Sequence, residues 1–312
     1  MTNRRRFLRN TALAGAALAT PALQATRPVR RMIDCHTHFY DPTRPEGVPW
    51  QGKGTPLYRR VLPDDRMEVA RPHQIIDTVV VEASPWVEDN QFRLDLAAKD
   101  KRLLGIIGNL DPVSIEFAAN VRRFAANPLY RGIRISSARS ADPANAAARD
   151  AGLKLLAASG LVLDINRGPA TPGISAALAE NHPDLTVIIN HCGNPGDVAK
   201  PLPDEWKSGI TDGAARKNVF IKVSALVEGV KGEPGTAPTD PEYDRPVSDP
   251  IWNAFGPDRL IYGSNWPVSD RGAPHGTVVG IVEAYFDEKG ADVSNKFFAG
   301  NSRGAYRWQE RA

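Results

Sequence analysis

The sequence predicts a single (β/α)8 barrel, also called a TIM barrel, and three observations support this fold class. Short apolar runs alternate with helical stretches, which is the pattern of βα units on a parallel sheet. Eight such runs follow one another after residue 25, and the length suits one barrel domain. No glycine-rich phosphate loop follows the first run, which counts against the alternative, an open doubly wound sheet. We therefore expect residues 26–312 to form one barrel domain.

The predicted strands are apolar, rich in β-branched residues and bounded by loop residues. Helical stretches lie between them, and proline or glycine follows several of these at the expected end. Two connections, 39–73 and 226–247, are long and rich in Pro and Gly, so we expect them to cover a functional site. The strands cover residues 31–38, 78–84, 103–110, 132–136, 161–166, 185–193, 219–226 and 260–266, and the helical stretches include 113–126, 144–158, 173–181 and 247–255.

The first 25 residues have the composition of an export signal. Arg4-Arg5-x-Phe7-Leu8-Arg9 precedes a weakly apolar run over 11–23, and a small-residue cleavage site follows at Ala25. An amphipathic first helix is the alternative, but the arginines and alanines are separated end to end rather than by face. The apolar run is too short to cross a bilayer as a helix. We predict a twin-arginine (Tat) signal that engages the Tat export machinery, and a mature periplasmic protein without a membrane span.

Charge and cysteine content exclude several classes of protein. The chain carries 39 basic and 36 acidic residues, but four arginines lie in the signal segment, which leaves 35 against 36. This balance gives no support for nucleic acid or an anionic membrane as a partner. The two cysteines, Cys35 and Cys192, are too few for a disulfide scaffold. We expect two free, buried thiols that face away from the histidines beside them.

Polar side chains recur along the predicted strands, mostly towards the carboxyl ends where a barrel builds its active site. Each alone has an ordinary structural explanation: a strand-end histidine is often a hydrogen-bonded core residue, and Lys222 or Arg134 could end a strand in solvent. Together they form a ring of polar groups on otherwise apolar strands. In chain order they are His36, His38, Glu82, Arg134, Asp164, Asn166, His191, Lys222 and Asn265.

The His36-x-His38 pair is the most informative of these signals. Two imidazoles two residues apart on a strand project to one side, with Cys35 and Thr37 on the other. They are close enough to hold one ion or one substrate oxygen. With His191 at the end of the sixth strand, the group indicates a site rather than three unrelated residues.

Three motifs, IDCHTHFYD, NHCGNP and LIYGSNWPV, occur in this order and resemble those of the amidohydrolase-related barrel hydrolases. The likeness is greatest to the branch that includes sugar-lactone and pyrone-dicarboxylate lactonases, and KFFAGNSRGAYRW is similar to that branch's closing helix. The resemblance covers nearly all of the chain after the signal. It implies that His36, His38 and His191 face the site, and that an aspartate ending the eighth strand accepts the proton of the attacking water.

The eighth strand departs from that pattern because it ends in Asn265. An amide does not bind protons in the working pH range, so Asn265 cannot be a general base. His191, with an ordinary pKa of about 6.5, is one candidate base. Glu82 is another, and Asp270 a third if its loop folds back. Asn265 would then orient water or donate to the substrate carbonyl.

The sequence predicts either no metal or one weakly bound divalent metal, with zinc the best candidate. The fifth strand ends in LDIN, without the histidine that would complete a strong metal set. Three neutral imidazoles, those of His36, His38 and His191, could still hold Zn²⁺ and leave a position for water. The ion would then lower the pKa of that water.

The remaining side chains favour a small-molecule substrate with a carboxylate or a lactone carbonyl. Positive groups can polarise or bind such oxygens, and aromatic rings can pack on a sugar or pyrone ring. Ordinary packing at the rim and in the core is the alternative for the aromatic residues. The candidates are Arg134, Lys222, Arg167 and Asp164, and the rings of Trp86, Trp266, Trp50 and Tyr58.

Three functions are compatible with these residues. The first is a hydrolase that opens a small cyclic ester with activated water. The second is a periplasmic binding protein in which Asn265 marks a lost activity. The third is a metal-dependent decarboxylase of the same superfamily.

Overall fold

A computed structural model describes residues 30–49, 52–228 and 235–311. The predicted Tat signal and Trp50 lie outside the described residues. Within the described part, no helix has the length and apolarity needed to cross a membrane.

Eight parallel strands form the centre of the molecule in the order in which they occur along the chain. Every predicted strand is present, so the prediction of a (β/α)8 barrel is confirmed. The strands are apolar on both faces because one face packs on helices and the other lines the barrel interior. They are β1 (Met32–Thr37), β2 (Ile75–Val81), β3 (Leu103–Gly108), β4 (Tyr130–Ser136), β5 (Val162–Asn166), β6 (Val187–Ile189), β7 (Val219–Val223) and β8 (Leu260–Tyr262).

Helices follow the strands and cover the outside of the sheet. Several begin with the residues that favour a helix start: α1 and α8 have proline in the first turn, and Ser136 caps α4 by accepting a hydrogen bond from Arg139 N. The helices are α1 (Pro63–Ala70), α2 (Asp89–Lys99), α3 (Phe117–Ala125), α4 (Ser137–Ala141), α5 (Ala146–Ala158), α6 (Thr171–Asn181), α7 (Asp204–Ala215), α8 (Arg245–Phe255), α9 (His275–Asp287), α10 (Ala291–Asn295) and α11 (Asn301–Tyr306).

The last strand meets the first beyond the end of β8. Thr37 forms a parallel bridge to Trp266, and the amide of His38 donates to the Trp266 carbonyl at 2.9 Å. Asp34 strengthens this junction, since its carboxylate accepts hydrogen bonds from Ser264 N, Ser264 Oγ and His36 N at 2.9, 2.6 and 3.1 Å. Gly263 is required here, because a Cβ at that position would lie 2.7 Å from His36 Cβ. The sheet thereby closes next to the histidine pair.

The first long connection contacts the β2–α2 end of the barrel, and its role as a cover of a functional site stays a prediction. Tyr40 and Val61 form an antiparallel bridge that brings the two ends of the loop together. From within the loop, the Gly47 carbonyl accepts from Trp86 Nε1 at 3.3 Å. Arg44 Nη1 lies 2.7 Å from the buried carboxylate of Asp89 at the start of α2.

Candidate active site

Left-handed backbone conformations collect at the carboxyl ends of four neighbouring strands. Arg167 follows β5 with φ of 79°, His191 follows β6 with 55°, Ala225 follows β7 with 57° and Asn265 follows β8 with 59°. Side chains other than glycine, asparagine and aspartate adopt this region at a cost, and such residues concentrate at functional sites. The backbone therefore marks the same end of the barrel as the predicted ring of polar groups.

His36 lies at the centre of that ring, fully buried, with cationic groups on both sides. Its Nε2 is 3.3 Å from Arg134 Nη1, and its Nδ1 is 3.3 Å from Lys222 Nζ. Its ring centroid is 5.1 Å from that of His38 and 4.3 Å from that of His191. Burial, followed by the charge of Lys222, holds the pKa of His36 well below its ordinary value, so the imidazole is neutral.

Arg134 is held in place by Glu82 at the end of β2. The guanidinium donates from Nε and Nη2 to Glu82 Oε1 at 2.8 and 2.6 Å, and from Nη2 to the Glu82 carbonyl at 3.1 Å. Burial alone would raise the pKa of the Glu82 carboxyl, but Arg134 outweighs it and the pKa is lowered. Glu82 is consequently an ionised partner of Arg134, which makes it a poorer base than the sequence suggested.

Lys222 and Asp164 form a second, fully buried ion pair below His36. Lys222 Nζ lies 2.7 Å from Asp164 Oδ2, and both side chains are 0% exposed. The hydroxyl of Tyr306 lies 3.3 Å from each carboxylate oxygen of Asp164. Burial lowers the pKa of the Lys222 amine, although the Asp164 carboxylate acts in the opposite direction. The pair thus places a positive group directly against the His36 ring.

His38 and Asn265 lie side by side at the β1–β8 junction. His38 Nδ1 is 3.2 Å from the Val81 carbonyl and 3.0 Å from that of Glu82, while Nε2 is 3.2 Å from Asn265 Oδ1. Burial lowers the pKa of His38 to about 4. On its other side, the Asn265 amide donates from Nδ2 to Glu228 Oε1 at 2.7 Å. A carboxyl therefore does reach the end of the eighth strand, from the loop after β7.

His191 has one ring nitrogen fixed and the other available. Its Nδ1 lies 3.0 Å from Ser224 Oγ, and within the described residues no hydrogen bond occupies its Nε2. Burial and the charges of Arg134 and Lys222 hold the pKa of His191 well below its ordinary value. The imidazole is neutral at neutral pH, so when Nδ1 donates to Ser224 its Nε2 carries a lone pair that can accept a proton.

A bulge in β1 corrects one prediction from the sequence. Asp34 pairs with Thr78 and Thr37 with Val80, so two residues of β1 lie between these partners where β2 has one. Strict alternation is lost there, so Cys35 packs in the barrel interior below the site. Both cysteines are free and buried as predicted, but the expectation that Cys35 faces away across the sheet is wrong. Burial raises its pKa to about 12.

The other candidate residues lie further from His36. Trp86 is at the rim and 40% exposed, whereas Trp266 is 1% exposed and packs beneath the Arg59 guanidinium. Asp270 lies 3.9 Å from Arg59, so its carboxylate is turned to that cation. Arg167 is exposed and its amide donates to Asn194 at 2.7 Å. Asn166 ends β5 and is partly exposed, and Tyr58 lies in the first long connection and is half-buried.

Sequence reasoning missed four residues that hold the site together. Asp34 lies two positions before His36 on β1, and Ser224 lies two positions after Lys222, just beyond the end of β7. The two-residue period of a strand would have shown both. Tyr306 reaches Asp164 from α11, and Glu228 reaches Asn265 from the long loop. No local pattern predicts these last two contacts, because both depend on how distant segments meet.

The barrel, its polar centre and the histidines at its mouth define a TIM-barrel hydrolase of the amidohydrolase type. The chain belongs to the amidohydrolase family, whose sequence profile matches residues 33–308.

Two curated relatives and one solved structure are similar to most of the chain. An L-fucono-1,5-lactonase of Burkholderia ambifaria is 29% identical over 283 residues, which cover 88% of this chain and 95% of the relative. An L-fucono-1,5-lactonase of Burkholderia multivorans is 27% identical over 266 residues, covering 82% and 89%. A solved amidohydrolase from Burkholderia multivorans with bound zinc superimposes with a TM-score of 0.79 at 24% identity, covering 89% of this chain and all of that one. The last likeness shows the fold.

Members of this family commonly use a metal, but the residues at this site do not fit a divalent ion. The three imidazoles predicted as zinc ligands do lie together. However, both nitrogens of His36 face the cations Arg134 and Lys222, which would repel an ion bound there. His38 Nδ1 faces two backbone carbonyls, and the side chain of Asn265 lies against Nε2 at 3.2 Å, so neither nitrogen is open to an ion. Across the described ranges, no group of three or more His, Cys, Asp and Glu side chains is arranged to hold a metal.

Proposed function

We propose that this protein hydrolyses a small sugar lactone at the carboxyl end of the barrel. The observation that carries the proposal is the neutral His191 ring, fixed at Nδ1 by Ser224 and open at Nε2, next to the cations around His36. The two relatives named L-fucono-1,5-lactonase support a sugar lactone as the substrate class.

The reaction follows from the positions of the charged groups. Water loses a proton to His191 Nε2 while its oxygen attacks the carbonyl carbon of the lactone. The negative charge that develops on the carbonyl oxygen is stabilised by the Arg134 guanidinium, and the buried Lys222 ammonium adds its positive field from behind His36. The bond between the carbonyl carbon and the ring oxygen then breaks, and the ring oxygen takes the proton back from His191. The product hydroxy acid ionises and releases one proton to solution.

Turnover of a lactone panel tests this proposal. The purified chain is mixed with L-fucono-1,5-lactone, other aldonolactones and 2-pyrone-4,6-dicarboxylate, and proton release is followed with an indicator after subtraction of spontaneous hydrolysis. We expect hydrolysis of at least one aldonolactone, and its loss in His191→Gln. Binding of these lactones without turnover would instead indicate a binding protein, and release of carbon dioxide from an aromatic acid would indicate a decarboxylase.

We also propose that the protein works in the periplasm after export by the Tat machinery. The support is the segment from Arg4 to Ala25, with its paired arginines, short apolar run and small-residue end. Replacing Arg4 and Arg5 by lysine should leave the protein in the cytoplasmic fraction of a bacterial host. Unchanged periplasmic recovery of this variant would contradict the proposal.

A further inference from the structure

The Asn265 amide lies between His38 of the site and the carboxyl of Glu228, which no local sequence pattern places there. It is 3.2 Å from His38 Nε2 on one side and 2.7 Å from Glu228 Oε1 on the other. The second oxygen, Glu228 Oε2, is buried and has no hydrogen-bond partner among the described residues. Buried polar atoms without partners are rare in folded proteins and often accompany a functional role.

The hydrogen bonds restrict where protons can lie on His38, Asn265 and Glu228. The Nδ1 atom of His38 faces two backbone carbonyls, which only accept, so Nδ1 carries the hydrogen. In a neutral ring Nε2 then has a lone pair, and that lone pair faces Asn265 Oδ1, which is also an acceptor. This contact is favourable only if His38 is charged or if the amide of Asn265 is turned over.

The two arrangements place one proton on different residues, either on His38 or on Glu228. In the first, His38 is an imidazolium and Glu228 is ionised. In the second, Asn265 Nδ2 donates to neutral His38 and Asn265 Oδ1 accepts from a protonated Glu228. Burial lowers the pKa of His38 to about 4 and raises that of Glu228 to about 7, and both shifts favour the second arrangement below neutral pH.

We infer that Glu228 is a positioning residue of the active site: through the Asn265 amide it sets which hydrogen bond His38 receives. This inference rests on the proposed function only for its kinetic consequence. Two other titratable or charged groups face Glu228, the Arg271 guanidinium and the Cys192 thiol. As pH rises and Glu228 ionises, its carboxylate binds Asn265 Nδ2, the amide oxygen turns to His38, and the neutral ring loses the hydrogen bond from Asn265.

Glu228→Gln and Glu228→Ala separate this role from a merely structural one. Glutamine resembles the protonated acid, because its amide nitrogen can donate to Asn265 Oδ1 at any pH. We expect kcat of the parent to fall by about tenfold as pH rises through the titration of Glu228, a size within the usual range for coupled neighbours. Glu228→Gln should match the parent at low pH and lack this fall, while Glu228→Ala should be slow throughout. Glu205→Gln, an exposed change on α7, is the matched control.

A readout without substrate distinguishes failure of this inference from failure of the proposed function. Nitrogen NMR of ¹⁵N-histidine-labelled protein, with His38 assigned from His38→Gln, should show its ring signals change as Glu228 titrates, and no such change in Glu228→Gln. An inactive parent with this response would overturn lactone hydrolysis alone. The same pH response in parent and Glu228→Gln, in kcat or in the His38 signals, would overturn the role of Glu228.

Discussion

Lys222 Nζ and Asp164 Oδ2 lie 2.7 Å apart in the barrel interior, and neither side chain is exposed to solvent. The ammonium also touches the His36 ring at 3.3 Å, so the pair supports the centre of the site from below. A buried pair of this kind is costly to desolvate, and the loss of one partner leaves an uncompensated charge.

Replacing one partner of this pair should therefore destabilise the protein strongly. We expect Lys222→Met to lower the free energy of unfolding by about 3–5 kcal/mol, and Lys222→Met with Asp164→Leu to lose less than the sum of the single changes. Urea denaturation measures both. Lys207→Met, which removes an exposed ion pair with Asp204, is the control and should cost less than about 1 kcal/mol. Equal losses in the two lysine variants would contradict the assignment of Lys222 to a buried pair.

His191 should be required for turnover but not for folding. We expect His191→Gln to reduce kcat by about 10²- to 10⁴-fold, the usual contribution of a positioned general base, with an unchanged circular dichroism spectrum. Ser224→Ala should cause a smaller loss, because it removes the orientation of His191 and leaves the base in place. If His191→Gln turns over the substrate like the parent, another group accepts the proton.

Removal of metal should leave activity unchanged. Because His36 faces the cations Arg134 and Lys222 at 3.3 Å each, a divalent ion has no favourable position on that ring. We expect prolonged dialysis against a chelator, followed by elemental analysis, to leave lactone turnover intact, and added zinc not to increase it. A stoichiometric metal whose removal abolishes turnover and whose return restores it would refute this view of the site.

Asp244 should make stability depend on pH. It precedes α8 with a side chain that is 2% exposed and an Oδ1 that lacks a hydrogen-bond partner within the described residues. Burial raises the pKa of its carboxyl to about 7, so the folded state holds the proton more tightly than the unfolded one. The parent therefore loses stability from this group as pH rises from about 4 to about 7.

Asp244→Asn removes that loss. We expect it to be more stable than the parent at about pH 8, by on the order of 2 kcal/mol, and similar to it at about pH 4. Denaturant midpoints at the two pH values measure the difference, with the exposed change Asp212→Asn as the control. A constant difference between Asp244→Asn and the parent would show that the carboxyl does not titrate in this range.

The strands were predictable because each is a short apolar run whose character depends on neighbouring residues alone. Their ends were less so. The predicted sixth and eighth strands continue to 193 and 266, whereas β6 stops at Ile189 and β8 at Tyr262. His191 and Asn265 follow in the left-handed conformation, which a strand cannot contain, and sequence alone does not show where the backbone turns.

The sequence predicted the histidines and cations of the site, but not the bulge and the side-chain contact that arrange them. His36, Arg134, Lys222 and His191 meet because parallel strands bring their carboxyl ends together, which follows from the fold. The bulge in β1 and the approach of Glu228 to Asn265 do not follow from any local pattern. An asparagine at the eighth strand suggested a lost carboxyl, and only the folded chain shows a glutamate beside it.

The contact between Tyr306 and Asp164 links α11 to the buried ion pair of the site. Together with Trp308, Tyr306 fills the amino-terminal end of the barrel, on the side opposite the proposed site. The last helix thus supports the Lys222–Asp164 ion pair, and the ammonium of that pair contacts His36. Removal of the final eight or so residues would open this end of the barrel to water. An affinity tag should therefore not be placed directly after Trp308.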